Sequence, residues 1–249
     1  MARKFNGSTD KIVLSHAVLT RNFTSFTLAA WINPSSLAYG AIFGAIGVGT
    51  IEFRLDAGGT VSYLAASSGS IGTSSGTVTT NNWWHVGMRN ISNNSGKFYI
   101  NGAVSGTFGA DGGGVNVVDR IGRHDTSNEA FPGKIAEVAI WNAALSDAEM
   151  AAIGTGVVRA GSIRPASIVA YLRLDGYGSP ALDSAASNNN GVLNGTTFVT
   201  GPPLVSAAPV FKTQNIRSTS AGAAVGVVFR RTLSSLGTRA GSRQLQQGM

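Results

Sequence analysis

Twelve Asp and Glu residues in a chain of 249 leave few places where acid chemistry could be done. Glycoside hydrolysis needs two carboxyl groups facing each other across a sugar, about 5–5.5 Å apart for retention or about 6.5–9.5 Å for inversion. On a strand, that means acids at i and i+2 or i+4. Glu52 and Asp56 have this spacing, but Arg54 lies between them on the same face, and the trio reads as a solvated row of alternating charge. Asp147 and Glu149 fall at the start of a short helix, where acids complement the macrodipole and complete a cap. No catalytic residue is assigned to either pair.

Hard oxygen ligands of the kind calcium takes come together in His124-Asp-Thr-Ser-Asn-Glu129. There Asp125, Asn128 and Glu129 form a candidate ligand or calcium loop, and Asp10, Asp111 and Asp119 are separate candidates. A solvated loop closed by an Asx turn accounts for the same three residues. His16, His85 and His124 stand in different segments without the HxxxH or HExxH spacing that gathers zinc. The absence of cysteine removes disulfides and thiolate metal sites. No cofactor other than calcium is suggested.

Sugar recognition asks for exposed aromatics beside polar groups on a concave face. Trp83 and Trp84 are adjacent and so point to opposite faces of a strand; they read as a core tryptophan beside an edge aromatic. Trp31 and Trp141 read as core, and Tyr39, Tyr63 and Tyr177 as loop aromatics.

The net charge of +7 is unevenly spread. Residues 1–204 carry 13 Lys or Arg against 12 Asp or Glu, whereas residues 205–249 carry six basic residues and no acid. Those six are Lys212, Arg217, Arg230, Arg231, Arg239 and Arg243. They are dilute, with one doublet and no interleaved aromatics, which argues against nucleic acid. Arginine-to-carboxylate bonds to an acidic protein surface, with Ala221–Phe229 added to a neighbour's sheet edge, fit them better. No apolar run approaches the ~20 residues of a membrane span, and MARK leads straight into a strand without a signal-peptide pattern.

Alternating strands are expected to position these residues. Phe26–Asn33 has apolar residues on both faces and is expected to be covered on both sides. Ala41–Gly47, Ile51–Asp56 and Val61–Ala65 follow, with Gly58-Gly59 as a hairpin turn. Ser67–Gly76 reads as a Ser/Gly-rich loop. Val86–Asn90 and Lys97–Ile100 form a hairpin, and Asn101-Gly102 is a second turn signal. Gly133–Met150 is a period-2 strand running into a helix with Ser146 as N-cap and Glu149 completing a capping box. Ile168–Leu174 is a further strand, and Gly201-Pro-Pro203 closes the body.

The blocks FNGSTDKIVL, FTLAAWINP, WWHVGMRN with KFYINGAV, RIGRH and FPGKIAEVAIWNAALSDAEM, in this order over residues 1–155, resemble a laminin-G-like, concanavalin A-like jelly-roll domain. The ExDxE-type pattern of the family's glucanases is absent. The resemblance implies an all-β, two-sheet antiparallel jelly-roll sandwich with one short helix over residues 1–204, followed by an extended, basic Gly/Ser/Ala-rich arm over 205–249. The segment AYLRLDG…LDSAASNNNGVLNGT follows the FNGSTD block, an order that resembles bacteriophage-encoded members. The expected function is therefore that of a non-enzymatic virion protein, a capsid decoration or a head/tail fibre component. Its expected partners are other copies of itself and a capsid or tail protein, held through the arm. Its expected location is the virion, after synthesis in the host cytoplasm. The alternative is a carbohydrate-binding adhesin whose ligand is a host-surface or environmental polysaccharide.

Overall fold

The computed structural model describes residues 1–19, 25–46, 51–65, 69–91, 95–109, 117–124 and 129–204. Candidate residues Asp111, Asp125 and Asn128 and the arm from 205 to 249 lie outside them. Along the chain run β1 (Ala2–Asn6), β2 (Lys11–Leu19), β3 (Phe26–Pro34), β4 (Gly40–Gly44), β5 (Ile51–Leu55), β6 (Val61–Ala65), β7 (Gly69–Thr73), β8 (Trp84–Asn90), β9 (Gly96–Ile100), β10 (Ala103–Phe108), β11 (Val117–Ile121) and β12 (Pro132–Trp141). Helix α1 (Asp147–Gly154), β13 (Ile168–Leu172), β14 (Gly191–Asn194) and β15 (Thr197–Val199) follow. No described helix is long and apolar enough to cross a membrane.

Two antiparallel sheets form the sandwich. The eight-stranded sheet has the order β10-β9-β8-β3-β12-β1-β15 with β13 also on β12; the seven-stranded sheet has the order β14-β2-β11-β4-β5-β6-β7. Alternate residues meet between them: Phe26, Leu28, Ala30 and Ile32 of β3, Phe43 of β4, Phe53 of β5 and Phe98 of β9 share one buried cluster. Burying each of the Phe, Leu and Ile side chains among them contributes about 1.5–3 kcal/mol. The opposite face of β3 is covered as well, since Ala29 packs with Tyr99, Trp141, Met150 and Ile153 under α1, and Trp31 packs with Ala2 and Ala136. The Ser/Gly-rich stretch expected to be a loop instead holds β7, paired with β6. Its Gly and Ser residues carry no alternating pattern; backbone pairing with β6 and the packing of Ile71 against the core place it.

Turn chemistry follows the sequence. Asn101 and Gly102 both have positive φ (49° and 79°) and join β9 to β10, the conformation of a two-residue hairpin. Gly122, between β11 and the RIGRH histidine, has φ 82° and lies against the Phe5 ring, so that a Cβ there would come within 2.3 Å of it.

Helix α1 begins as its capping box requires. The Ser146 hydroxyl accepts from the Glu149 backbone N–H at 3.2 Å, and the Glu149 carboxylate accepts from the Ser146 N–H at 2.7 Å. Arg164 grips the same carboxylate at 2.7 and 2.8 Å and, with the caps, holds Glu149 well down, to about 2. Ser146→Ala should cost about 1 kcal/mol, read as a lower urea midpoint with an unchanged slope.

Strand β12 has a divided edge. β3 lines one side along its length. On the other side β1 pairs as far as Ile135, and β13 takes over from Val138. Glu137 sits at the fork with φ 51°, where the ladder to β3 also shifts register. A buried non-glycine residue in this conformation is held by its surroundings: Arg159 and the Tyr171 hydroxyl both donate to the Glu137 carboxylate, and its N–H donates to the Arg173 carbonyl.

Candidate functional site

Among the described residues, two polar places on the sandwich bear on ligand chemistry. The first is on the outward face of the seven-stranded sheet. The pleat that sends Ile51, Phe53 and Leu55 of β5 inward turns Glu52 and Arg54 outward. Arg54 donates from Nε to Asp56 at 2.9 Å and from a terminal nitrogen to Glu52 at 3.3 Å and Glu129 at 3.4 Å, and its guanidinium stacks 4.8 Å from the half-exposed Tyr39 ring. Ser62, opposite Arg54 on β6, donates to the other oxygen of Asp56.

The solvated row expected from the sequence is thus corrected: Glu52 is only 4% exposed. The cause is the segment after β11, whose Glu129 carbonyl accepts from the Ala41 and His124 N–H groups and so brings Glu129 and His124 against β5. Burial, together with the nearby Glu129 charge, raises the Glu52 carboxyl to about 7 against the opposing pull of Arg54. The His124 Nδ1 lies 3.1 Å from the second Glu129 oxygen.

Of the calcium-loop residues named from the sequence, Glu129 is therefore in the cluster, whereas Asp125 and Asn128 lie outside the described residues. Asp10 does not join it; its carboxylate accepts from the Asn6 N–H at 3.0 Å within the β1–β2 turn. Asp119 lies beside Arg120 instead.

The second place is a cleft of about 410 Å³ at the fork in the edge of β12, lined by Arg3, by Arg173–Gly176 and by Gly178–Leu182 with Ser184. Arg3 shapes it: its buried guanidinium donates to the carbonyls of Gly176 and Gly178 and lies over Phe198. Between those glycines, Tyr177 stands 78% exposed, its ring centroid 4.0 Å from that of Phe198. Arg173 and Asp175, both in the lining, pair with each other. This site was missed at the level of sequence. An aromatic between two glycines ahead of Ser179-Pro180 is the available signal, but the support comes from Arg3 and Phe198, both remote in the chain. The two adjacent tryptophans make no such site: both are half-buried, and the Trp84 indole donates to the Thr79 carbonyl.

Comparison with known proteins adds the following. The family signature described as the concanavalin A-like lectin/glucanases superfamily matches residues 6–151. No curated protein matches the chain. Among solved structures, a candidate carbohydrate binding protein from Bacteroides ovatus superposes with a TM-score of 0.60 at 22% identity, over 79% of this chain and 59% of that one. A heptameric SAP-like pentraxin from Limulus polyphemus superposes with a TM-score of 0.51 at 16% identity, over 62% of this chain and 82% of that one. The chain thus spans about three fifths of the Bacteroides protein, and at these identities the likeness is one of fold.

Proposed function

The chain belongs to the concanavalin A-like lectin/glucanases superfamily, and from that premise we propose that it is a non-catalytic carbohydrate-binding module whose ligand lies in the cleft at the β12 fork. One observation carries this reading: between Gly176 and Gly178, which line the cleft, the exposed Tyr177 ring is fixed against Phe198, and Arg173 and Asp175 of the same lining form an ion pair. A pyranose offers an apolar C–H face to such a ring and hydroxyls to the ion pair, which both donates and accepts. Fixing the ring beforehand lowers the ordering cost of binding.

A hydrolytic role is disfavoured by the same geometry. Among the described residues, Asp175 is the one carboxylate lining the cleft, and hydrolysis takes two. In the other cluster, the Arg54 guanidinium sits between the carboxylates where a glycosidic bond would have to lie. The Bacteroides protein, whose description is carbohydrate binding, supports the choice.

A glycan array probed with the full chain is expected to yield a discrete set of oligosaccharide ligands without release of reducing ends. Tyr177→Ala should weaken binding of the best ligand by about tenfold or more, equivalent to about 1.4 kcal/mol, with an unchanged melting temperature. Binding that ignores this substitution would remove the cleft from the account, and hydrolysis would remove the non-catalytic reading.

A second reading, that the module is carried on a phage particle through residues 205–249, rests on the segregation of six basic residues and no acid into that arm and on the order of the sequence blocks. Weak sugar binding would gain from many clustered copies. Deleting 205–249 should then abolish particle attachment and leave glycan binding intact.

A further inference from the structure

We propose that Glu52, His124 and Glu129 form a binding site for one divalent transition-metal ion of the zinc type on the outward face of the seven-stranded sheet. The three residues each offer a ligand atom, and these atoms all lie within 4.8 Å of one another. The site is separate from the glycan cleft and does not depend on it.

The division of the carboxylate oxygens is the main argument. Arg54 takes one oxygen of Glu52, Oε2, and one of Glu129, Oε1. That leaves Glu52 Oε1, which is buried and has no hydrogen-bond partner among the described residues. A carboxylate oxygen taken out of water without a donor costs about 1–3 kcal/mol or more, and a bound cation removes that cost. The second oxygen of Glu129, Oε2, lies 3.1 Å from His124 Nδ1. Two ligands held about 2.0–2.1 Å from a tetrahedral ion lie about 3.3 Å apart, so this pair already stands near bonding separation.

Charge points the same way. Glu52, Asp56 and Glu129 bring three carboxyl groups to Arg54's single positive charge. A cation bound among them would favour the ionised form of all three. Ligand chemistry then selects the ion: an imidazole nitrogen with two carboxylate oxygens suits zinc, whereas calcium takes six to eight oxygens. Three protein ligands leave a fourth position for water or for an oxygen of a bound molecule.

The test is isothermal titration of the metal-stripped full chain with zinc chloride and, separately, calcium chloride, repeated on Glu52→Gln and His124→Ala. One zinc per chain is expected. Each substitution should weaken it by about tenfold or more, with the far-ultraviolet circular dichroism unchanged. Cobalt(II) added in place of zinc should give the visible absorption of a low-coordinate site, and His124→Ala should abolish it. Glu52→Gln removes a buried charge and keeps the shape of the side chain, so the variant is expected to fold. Absence of stoichiometric zinc binding overturns the proposal. So does zinc binding that neither substitution affects. Calcium binding tighter than zinc and indifferent to His124→Ala would overturn it in favour of the oxygen-rich loop 125–129.

Discussion

Arg54→Leu is expected to destabilise the sandwich by about 3 kcal/mol, the lower end of the cost of removing one partner from a buried ion pair, since of the cluster's members Glu52 alone is buried. The side chain serves three carboxylates and one aromatic ring at once. Its removal leaves Glu52, Asp56 and Glu129 without their shared counter-charge, and Glu52 cannot turn to water. Equilibrium urea denaturation at pH 7 reads the loss. Combining Arg54→Leu with Glu52→Leu should recover a large part of it, because an apolar pair of similar volume does not carry the uncompensated charge. A single variant as stable as the parent would show that the cluster is held by backbone pairing, with the charges incidental.

The second large effect is expected in acid and belongs to His85. The ring is fully buried on β8, edge-on to Trp31, with no hydrogen-bond partner for either nitrogen among the described residues. Burial disfavours the imidazolium and lowers the group to about 3. A depressed histidine contributes stability that is fully present above its unfolded value near 6.5 and is lost as pH falls towards 3. Linkage gives a loss of about 2 kcal/mol by pH 5 and roughly 4 kcal/mol by pH 3.

Glu52 and Glu137 are raised by burial and act in the opposite sense; the fold gains from them as they take up protons. The depressed Glu149 works with His85, but only below its unfolded value of about 4.5. The readout is therefore the difference in unfolding free energy between the parent and His85→Leu at pH 7 and pH 5. That difference should shift by about 2 kcal/mol in favour of the variant. An identical pH dependence in the two proteins would mean that the ring is solvated.

What the sequence disclosed and what it hid divide along a physical line. The run Phe26–Asn33 with apolar residues on both faces, the Asn101-Gly102 turn and the Ser146–Glu149 cap are set within a few residues of themselves, and each stands in the structure as its pattern implies. Glu52 looked solvated because its cover comes from His124 and Glu129, more than seventy positions away. Strand β7 was hidden because its glycines and serines record nothing of the neighbour they pair with. The cleft was hidden for the same reason as Glu52: Arg3 reaches across 173 positions to hold the carbonyls that flank Tyr177. Local signals are written in neighbouring letters; burial and concavity are written by residues that meet only after folding.

The first and last described strands have a bearing on biosynthesis. Ala2 pairs with Val199, and Lys11 with Asn194. On the ribosome, β1 and β2 therefore emerge long before the strands that complete their outer edges. Until then each exposes unpaired amides that can template contact with another nascent chain. Ring closure over almost two hundred positions is also the slowest kind of pairing to find. The sandwich is sealed late, by a short segment laid into both sheets beside the strands translated first.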